Sequence, residues 1–128
     1  MTVCIPSIPR RATLLEEAIR SVEDQTYSGV KCVVEIDTVG LGAAKNRDAA
    51  LTRAETEWVA FLDDDDVLYP EHVATCMLAA EQYGADLVYP WFDLHEGIDP
   101  LSVNIGGKYV TPFGLEFGDE HVTHLRKY

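Results

Sequence analysis

The sequence predicts an α/β protein: a three-layer α/β/α, Rossmann-like arrangement around a mostly parallel sheet. Short apolar runs rich in Val and Ile stand at 3–5, 30–36, 58–62 and 87–89. Between each consecutive pair lies a segment with helical spacing of apolar residues, and Gly or Pro marks the joins. Strands that alternate with helices pair in parallel, because each helix carries the chain back across the sheet.

The first strand is Val3-Cys4-Ile5, and Pro6-Ser7-Ile8-Pro9 ends it in a loop. Thr13 with Glu16 reads as a capping box that starts the first helix. Leu15, Ala18, Ile19 and Val22 then recur at helical spacing and face the sheet, and Tyr27-Ser28-Gly29 breaks the helix. The second strand, 30–36, ends near Asp37. Gly40-Leu41-Gly42 opens a second helix that runs to about Ala54, with Ala44, Leu51 and Ala54 on its inner face. The third strand is 58–62. Pro70 suits the first turn of a third helix, lined by Val73, Met77, Ala80 and Tyr83 and stopped by Gly84. Leu87-Val88-Tyr89 begins a fourth strand. From His95 onward Gly and Pro interrupt every apolar run; Tyr109 to Thr111 reads as a short strand and His121 to Tyr128 as the start of another element. The expected organisation is a ligand-binding α/β core at 1–94 and a loop-rich tail at 95–128.

The net charge of −12 argues against a nucleic-acid scaffold, which needs a basic face, and against binding to anionic membranes by charge. No apolar stretch approaches the roughly 20 residues of a membrane span, and the N-terminus lacks the pattern of a signal peptide. Cys4, Cys32 and Cys76 contain no CxxC pair and read as small buried hydrophobes, which fits a reducing cytoplasm.

Asp63, Asp64, Asp65 and Asp66 follow directly on the third strand. Four adjacent carboxylates repel one another unless a cation is shared between them, and hard oxygen donors suit Mg²⁺ or Mn²⁺. On an extended segment Asp63 and Asp65 point one way and Asp64 and Asp66 the other. The alternative is an acidic turn that solvates a strand end. Ligands of open parallel sheets bind beyond the carboxyl ends of the strands. That rule gathers Ser7 to Arg10, Asp37 and the aspartates at one edge. Arg10 and Arg11 either meet a phosphate there or are solvated. Asp37 either accepts hydrogen bonds from a base or ribose or caps its own loop. Lys45, Asn46 and Arg47 lie in the first turns of the second helix, whose dipole favours anions, and are either diphosphate contacts or a solvated face. Gly40 and Gly42 form only part of a GxGxxG fingerprint, with Lys45 in place of the third glycine. His121 and His124 lack a third metal ligand, His72 and His95 read as surface residues, and Ser7 has no His and Asp partners for a hydrolase triad.

These residues resemble a known family. Val3-Cys4-Ile5-Pro6-Ser7 with Arg10 is similar to the IIPTYNR opening of family-2 glycosyltransferases of the GT-A fold. Asp24-Gln25-Thr26-Tyr27 resembles their xQTY, and Gly40 through Arg47 resembles their GLAAARNRG. Trp58 through Asp66 with Pro70 resembles their yiaFLDDDDxxxP. The resemblance implies a nucleotide-diphosphate sugar donor, a UDP-sugar first among them, held through Mn²⁺ or Mg²⁺ and delivered to an unidentified acceptor. By matched position Pro6 and Ser7 border the base, Asp37 bonds to it, and Asp63 contacts the ribose or the metal. Asp65 is then the metal ligand of the DxD motif, with Asp64 and Asp66 supporting.

Two departures from that pattern matter. Only Thr38 and Val39 separate Asp37 from the glycine segment, where the family carries a further helix and strand, and Glu35 is an alternative base contact. Inverting members also carry an acidic general base in a later segment. Asp119 and Glu120 are the acidic residues late enough to serve here. The chain therefore reads as a donor-binding half, truncated or split, whose acceptor side a second chain or self-association completes. A non-catalytic binding module of the same fold is the alternative. Phe61 through Leu68 also resembles the DxDx(T/V) signature of haloacid-dehalogenase-type phosphatases. That motif, however, normally ends the first strand, whereas two strand–helix units precede it here.

Overall fold

The computed structural model describes residues 1–88, Pro90 and the strand segments 103–105, 108–110 and 116–117. The chain divides into two compact units, Met1–Val88 and Tyr89–Tyr128. In the first, β1 (Thr2–Ser7), β2 (Lys31–Ile36) and β3 (Val59–Phe61) form a parallel sheet in the order β2-β1-β3. The helices α1 (Ala12–Glu23), α2 (Ala43–Thr52) and α3 (His72–Tyr83) follow the three strands in turn, α1 after a short 3₁₀ turn, Pro9–Arg11. In the second unit β4 (Val103–Ile105), β5 (Lys108–Val110) and β6 (Glu116–Phe117) pair antiparallel in chain order, β5 overlapping the strand expected at Tyr109.

Every residue of β1 is buried, as its central place demands. Val3 and Ile5 pack with Leu15, Ala18, Val22 and Leu62 on the α1 side, with Ile19, Val34 and Ala60 against them. Thr2 and Cys4 alternate to the opposite face, where α2 lies against β1 and β2 and buries Asn46 and Ala50. The three layers expected from the sequence are therefore present.

The first strand does not stop at Pro6, as expected, but runs through it to Ser7. Even-numbered residues of β1 bond to β3: Thr2 donates to the Trp58 carbonyl at 3.0 Å, and the Cys4 carbonyl accepts the Leu62 N–H at 3.1 Å. Pro6 is next on that side and has no N–H to offer. The β1–β3 ladder ends there, and the chain after Leu62 leaves the sheet. On the other side β1 continues pairing with β2 to Ser7↔Ile36.

Several expectations are corrected. No capping box forms at Thr13, because the 3₁₀ turn leads straight into α1 and Arg11 stands at the cap. On α2 the buried positions are Asn46 and Ala50; Ala44 and Leu51 are exposed. Asn46 faces inward because its amide bonds strand carbonyls, which an apolar-spacing reading passes over. Pro70 precedes α3 rather than opening it, and Tyr83 is exposed, although Gly84 does end the helix in the left-handed conformation. Leu87 and Val88 carry no strand pairing among the described residues, and Tyr89 lies outside them. Cys32 is exposed because β2 has a neighbour on one side only among the described residues, whereas Cys4 is buried and Cys76 half-buried. Desolvation pushes all three thiols up, the direction of inert cysteines. Desolvation likewise lowers His72, a half-buried residue.

Candidate functional site

The carboxyl ends of β1, β2 and β3 bring together the end of β1, the loop after β2 and the aspartates after β3. Ser7 is the link between them. Its carbonyl accepts the Asp37 N–H at 2.8 Å and an Asn46 Nδ2–H at 3.1 Å, while its hydroxyl donates to Asp64 Oδ2 at 2.7 Å. The Asn46 amide also reaches the Glu35 carbonyl at 3.4 Å, so one side chain ties α2 to both β1 and β2.

Asp37 is buried, and its carboxylate holds its own loop. Oδ1 accepts the N–H groups of Val39 at 3.1 Å and Gly40 at 2.6 Å, and Oδ2 accepts that of Gly42 at 2.7 Å. Gly40 and Gly42 have φ of 80° and 91°, backbone that a side chain would strain, and this lets the loop curl back on the carboxylate. The Gly42 and Leu41 amides, followed by those of Val39 and Gly40, outweigh desolvation and hold Asp37 below the usual carboxylate range. Of the two readings of Asp37, the loop cap is the one the geometry displays.

The aspartates do not continue as an extended segment. The Asp66 N–H donates to the Asp63 carbonyl at 3.1 Å, closing a turn over 63–66. Strand alternation is therefore replaced by one buried carboxylate, Asp64, and three exposed ones, Asp63, Asp65 and Asp66. Arg11 Nη1 donates to Asp64 Oδ1 at 2.7 Å and to Asp65 Oδ2 at 3.0 Å. Arg47, from the first turns of α2, forms an ion pair with Asp63. Desolvation alone would raise Asp64, but the Ser7 hydroxyl, Arg11 and the Ile8 N–H overcome it and the net shift is downward. Asp66 has no such partner among the described residues. Desolvation of its carboxyl, then repulsion from Asp65 and Asp63, pushes it up.

Gln25 fixes the far end of this segment. Its Nε2 donates to the Tyr69 carbonyl at 2.8 Å and its Oε1 accepts the Val73 N–H at 2.9 Å, while the Thr26 N–H meets the Pro70 carbonyl at 2.9 Å. The Gln-Thr pair after α1 thus stitches down the chain between the aspartates and α3.

Of the residues singled out in the sequence, the structure joins Ser7, Asp37, Asn46, Asp64 and Asp65 through direct bonds or shared partners, while Asp63 pairs separately with Arg47. Pro6 is buried beside Ser7, whereas Arg10 and Lys45 are exposed. Asp119, Glu120, His95, His121 and His124 lie outside the described residues. Sequence reasoning missed the pairing of Arg11 and Arg47 with particular aspartates. The available signal was topological, since Arg11 follows β1 and the aspartates follow its neighbour β3. Among the described residues no three or more His, Cys, Asp or Glu side chains converge as a preformed metal cage. A concavity of about 590 Å³ beside α3, lined by Tyr27, Trp58, Met77 and Leu78 among others, contains none of the candidate site residues.

Comparison with known proteins matches this frame. The model of glycosyl transferase family 2 covers residues 34–105, from within β2 through Asp37, α2 and the aspartate turn. No curated protein matches the chain. Since the family model spans more than half of the 128 residues, and the parallel sheet with flanking helices is the fold it implies, the chain belongs to glycosyl transferase family 2.

Proposed function

We propose that this chain binds a nucleotide-diphosphate sugar at the carboxyl edge of its parallel sheet and transfers the sugar to an acceptor hydroxyl, with Mn²⁺ or Mg²⁺ held by Asp63 and Asp65. The observation that carries the reading is the turn of hard carboxylates at that edge, inside the family-matched segment and beside the N-terminus of α2. The donor set fits such a cation. Asp63 Oδ2 and Asp65 Oδ1 have no hydrogen-bond partner among the described residues, and both side chains are about half exposed. Mg²⁺ is usually held by one or two carboxylates completed by phosphate and water, rather than by an all-protein cage. When bound, it would offset the charge that builds on the departing diphosphate.

The remaining roles belong to the chain itself. Pro6 and Ser7 border the base, and Arg10, Lys45 and the α2 N-terminus supply positive potential for the diphosphate. Asp64 holds the turn through Ser7 and Arg11. Asp37 shapes the loop at the nucleotide side, its carboxylate taken up by the amides of that loop. Asp119 or Glu120 takes the proton from the acceptor hydroxyl as the new bond forms.

Isothermal titration with UDP, GDP and TDP, with and without Mn²⁺, tests the reading. Metal-dependent binding of one nucleotide is expected, weakened at least about tenfold in Asp65→Ala by loss of a charged ligand. Absence of metal-dependent binding for all three would remove it.

A further inference from the structure

We propose that Arg47 is the exchangeable counter-ion of the acidic turn: it neutralises Asp63 in the free protein and gives way to a divalent cation, while Arg11 stays in place. This rests on the metal reading above. The two arginines meet the same turn in unlike surroundings. Arg11 bonds Asp64, whose side chain is 5 % exposed, so withdrawing it would leave a buried carboxylate without its cation. Arg47 and Asp63 are 36 % and 49 % exposed, and water readily replaces either partner. Asp65 keeps Oδ1 outside its bond to Arg11, so it can meet a cation without releasing that arginine. Asp63 is where arginine and metal compete for the same charge. Arg47 is then a positioning residue that sets how readily the site fills.

The test is Mn²⁺ titration followed by electron paramagnetic resonance on the full chain, alone and with UDP. The variants are Arg47→Gln and Lys31→Gln; Lys31 pairs with Glu55 at the opposite end of β2 and controls for the change in net charge. Wherever wild type binds Mn²⁺, Arg47→Gln should bind about two- to fivefold tighter, the range expected for removing an exposed competing pair. Lys31→Gln should match wild type, and in an Asp63→Asn background the Arg47 substitution should have no effect. Equal or weaker binding by Arg47→Gln, or an equal gain in Lys31→Gln, overturns the proposal while leaving the metal reading intact. No Mn²⁺ binding by any form, with or without UDP, removes both.

Discussion

Asp37 and the aspartates after β3 close two strands that flank β1, and their charge is met in different ways. Asp37 is surrounded by N–H groups of its own loop, all within five residues in sequence. The aspartate turn is met by guanidinium groups, Arg11 lying more than fifty residues away in sequence and Arg47 sixteen. Local amides cannot leave without unmaking the loop, so Asp37 is committed to shape. An arginine can leave if both partners remain hydrated on parting. Burial therefore separates carboxylates that hold the fold from those whose ion pairs water can reach: Asp37 and Asp64 fall in the first class, Asp63 and Asp65 in the second.

The largest effect should come from Asp64. Asp64→Ala strands the Ser7 hydroxyl and the inner bond of Arg11, and should cost about 3 kcal/mol in urea unfolding near neutral pH. Because the folded-state pKa of Asp64 is depressed, this stability is present above the unfolded value of about 3.9 and is lost as pH falls through the lower folded value. The difference from wild type should shrink in that acidic window. A cost below about 1 kcal/mol would place the Arg11–Asp64 pair with ordinary surface pairs and erase the contrast.

A middling effect is expected at Asp37. Asp37→Asn should speed hydrogen exchange of the Val39, Gly40 and Gly42 amides about tenfold, the scale of one charged hydrogen bond. The sign with pH is the same, since Asp37 is also held low: protection present at neutral pH fades as pH falls below about 4. Unchanged exchange would mean that Gly40 and Gly42 hold the loop without the carboxylate.

The smallest effect should have the opposite sign. The Asp66 carboxyl is raised, so the folded state favours its protonated form and loses stability as pH rises through the window above about 3.9. Asp66→Asn should therefore stabilise the protein at pH 7 by about 0.5 kcal/mol, after allowance for screening of an exposed group. The gain should vanish near pH 3. Urea midpoints at the two pH values measure it, and no gain at neutral pH would show that the turn carries no residual repulsion.

The parts of this arrangement that local pattern controls were legible in the sequence. The buried run of β1, the inner face of α1 at Leu15, Ala18 and Val22, and the stop at Gly84 follow from apolar spacing and from the conformational freedom of glycine. The convergence of Ser7, Asp37 and the aspartates followed from strand topology alone. What escaped depended on particular hydrogen bonds. Asn46 is polar yet faces inward, because strand-end carbonyls await its amide. The aspartates bend into a turn, which no alternation rule anticipates. A guanidinium on a long flexible stem can reach several carboxylates, so charge counting could not say which aspartate each arginine takes.

Pro6 has a consequence beyond its own position. A single absent hydrogen releases one edge of the central strand while the other stays zipped, and so sets how far along the sheet the acidic turn is presented. Restoring that donor with another residue would invite the third strand to run on and draw its acids flat against the sheet. The outward display of negative charge thus depends on an amide that was never there to bond.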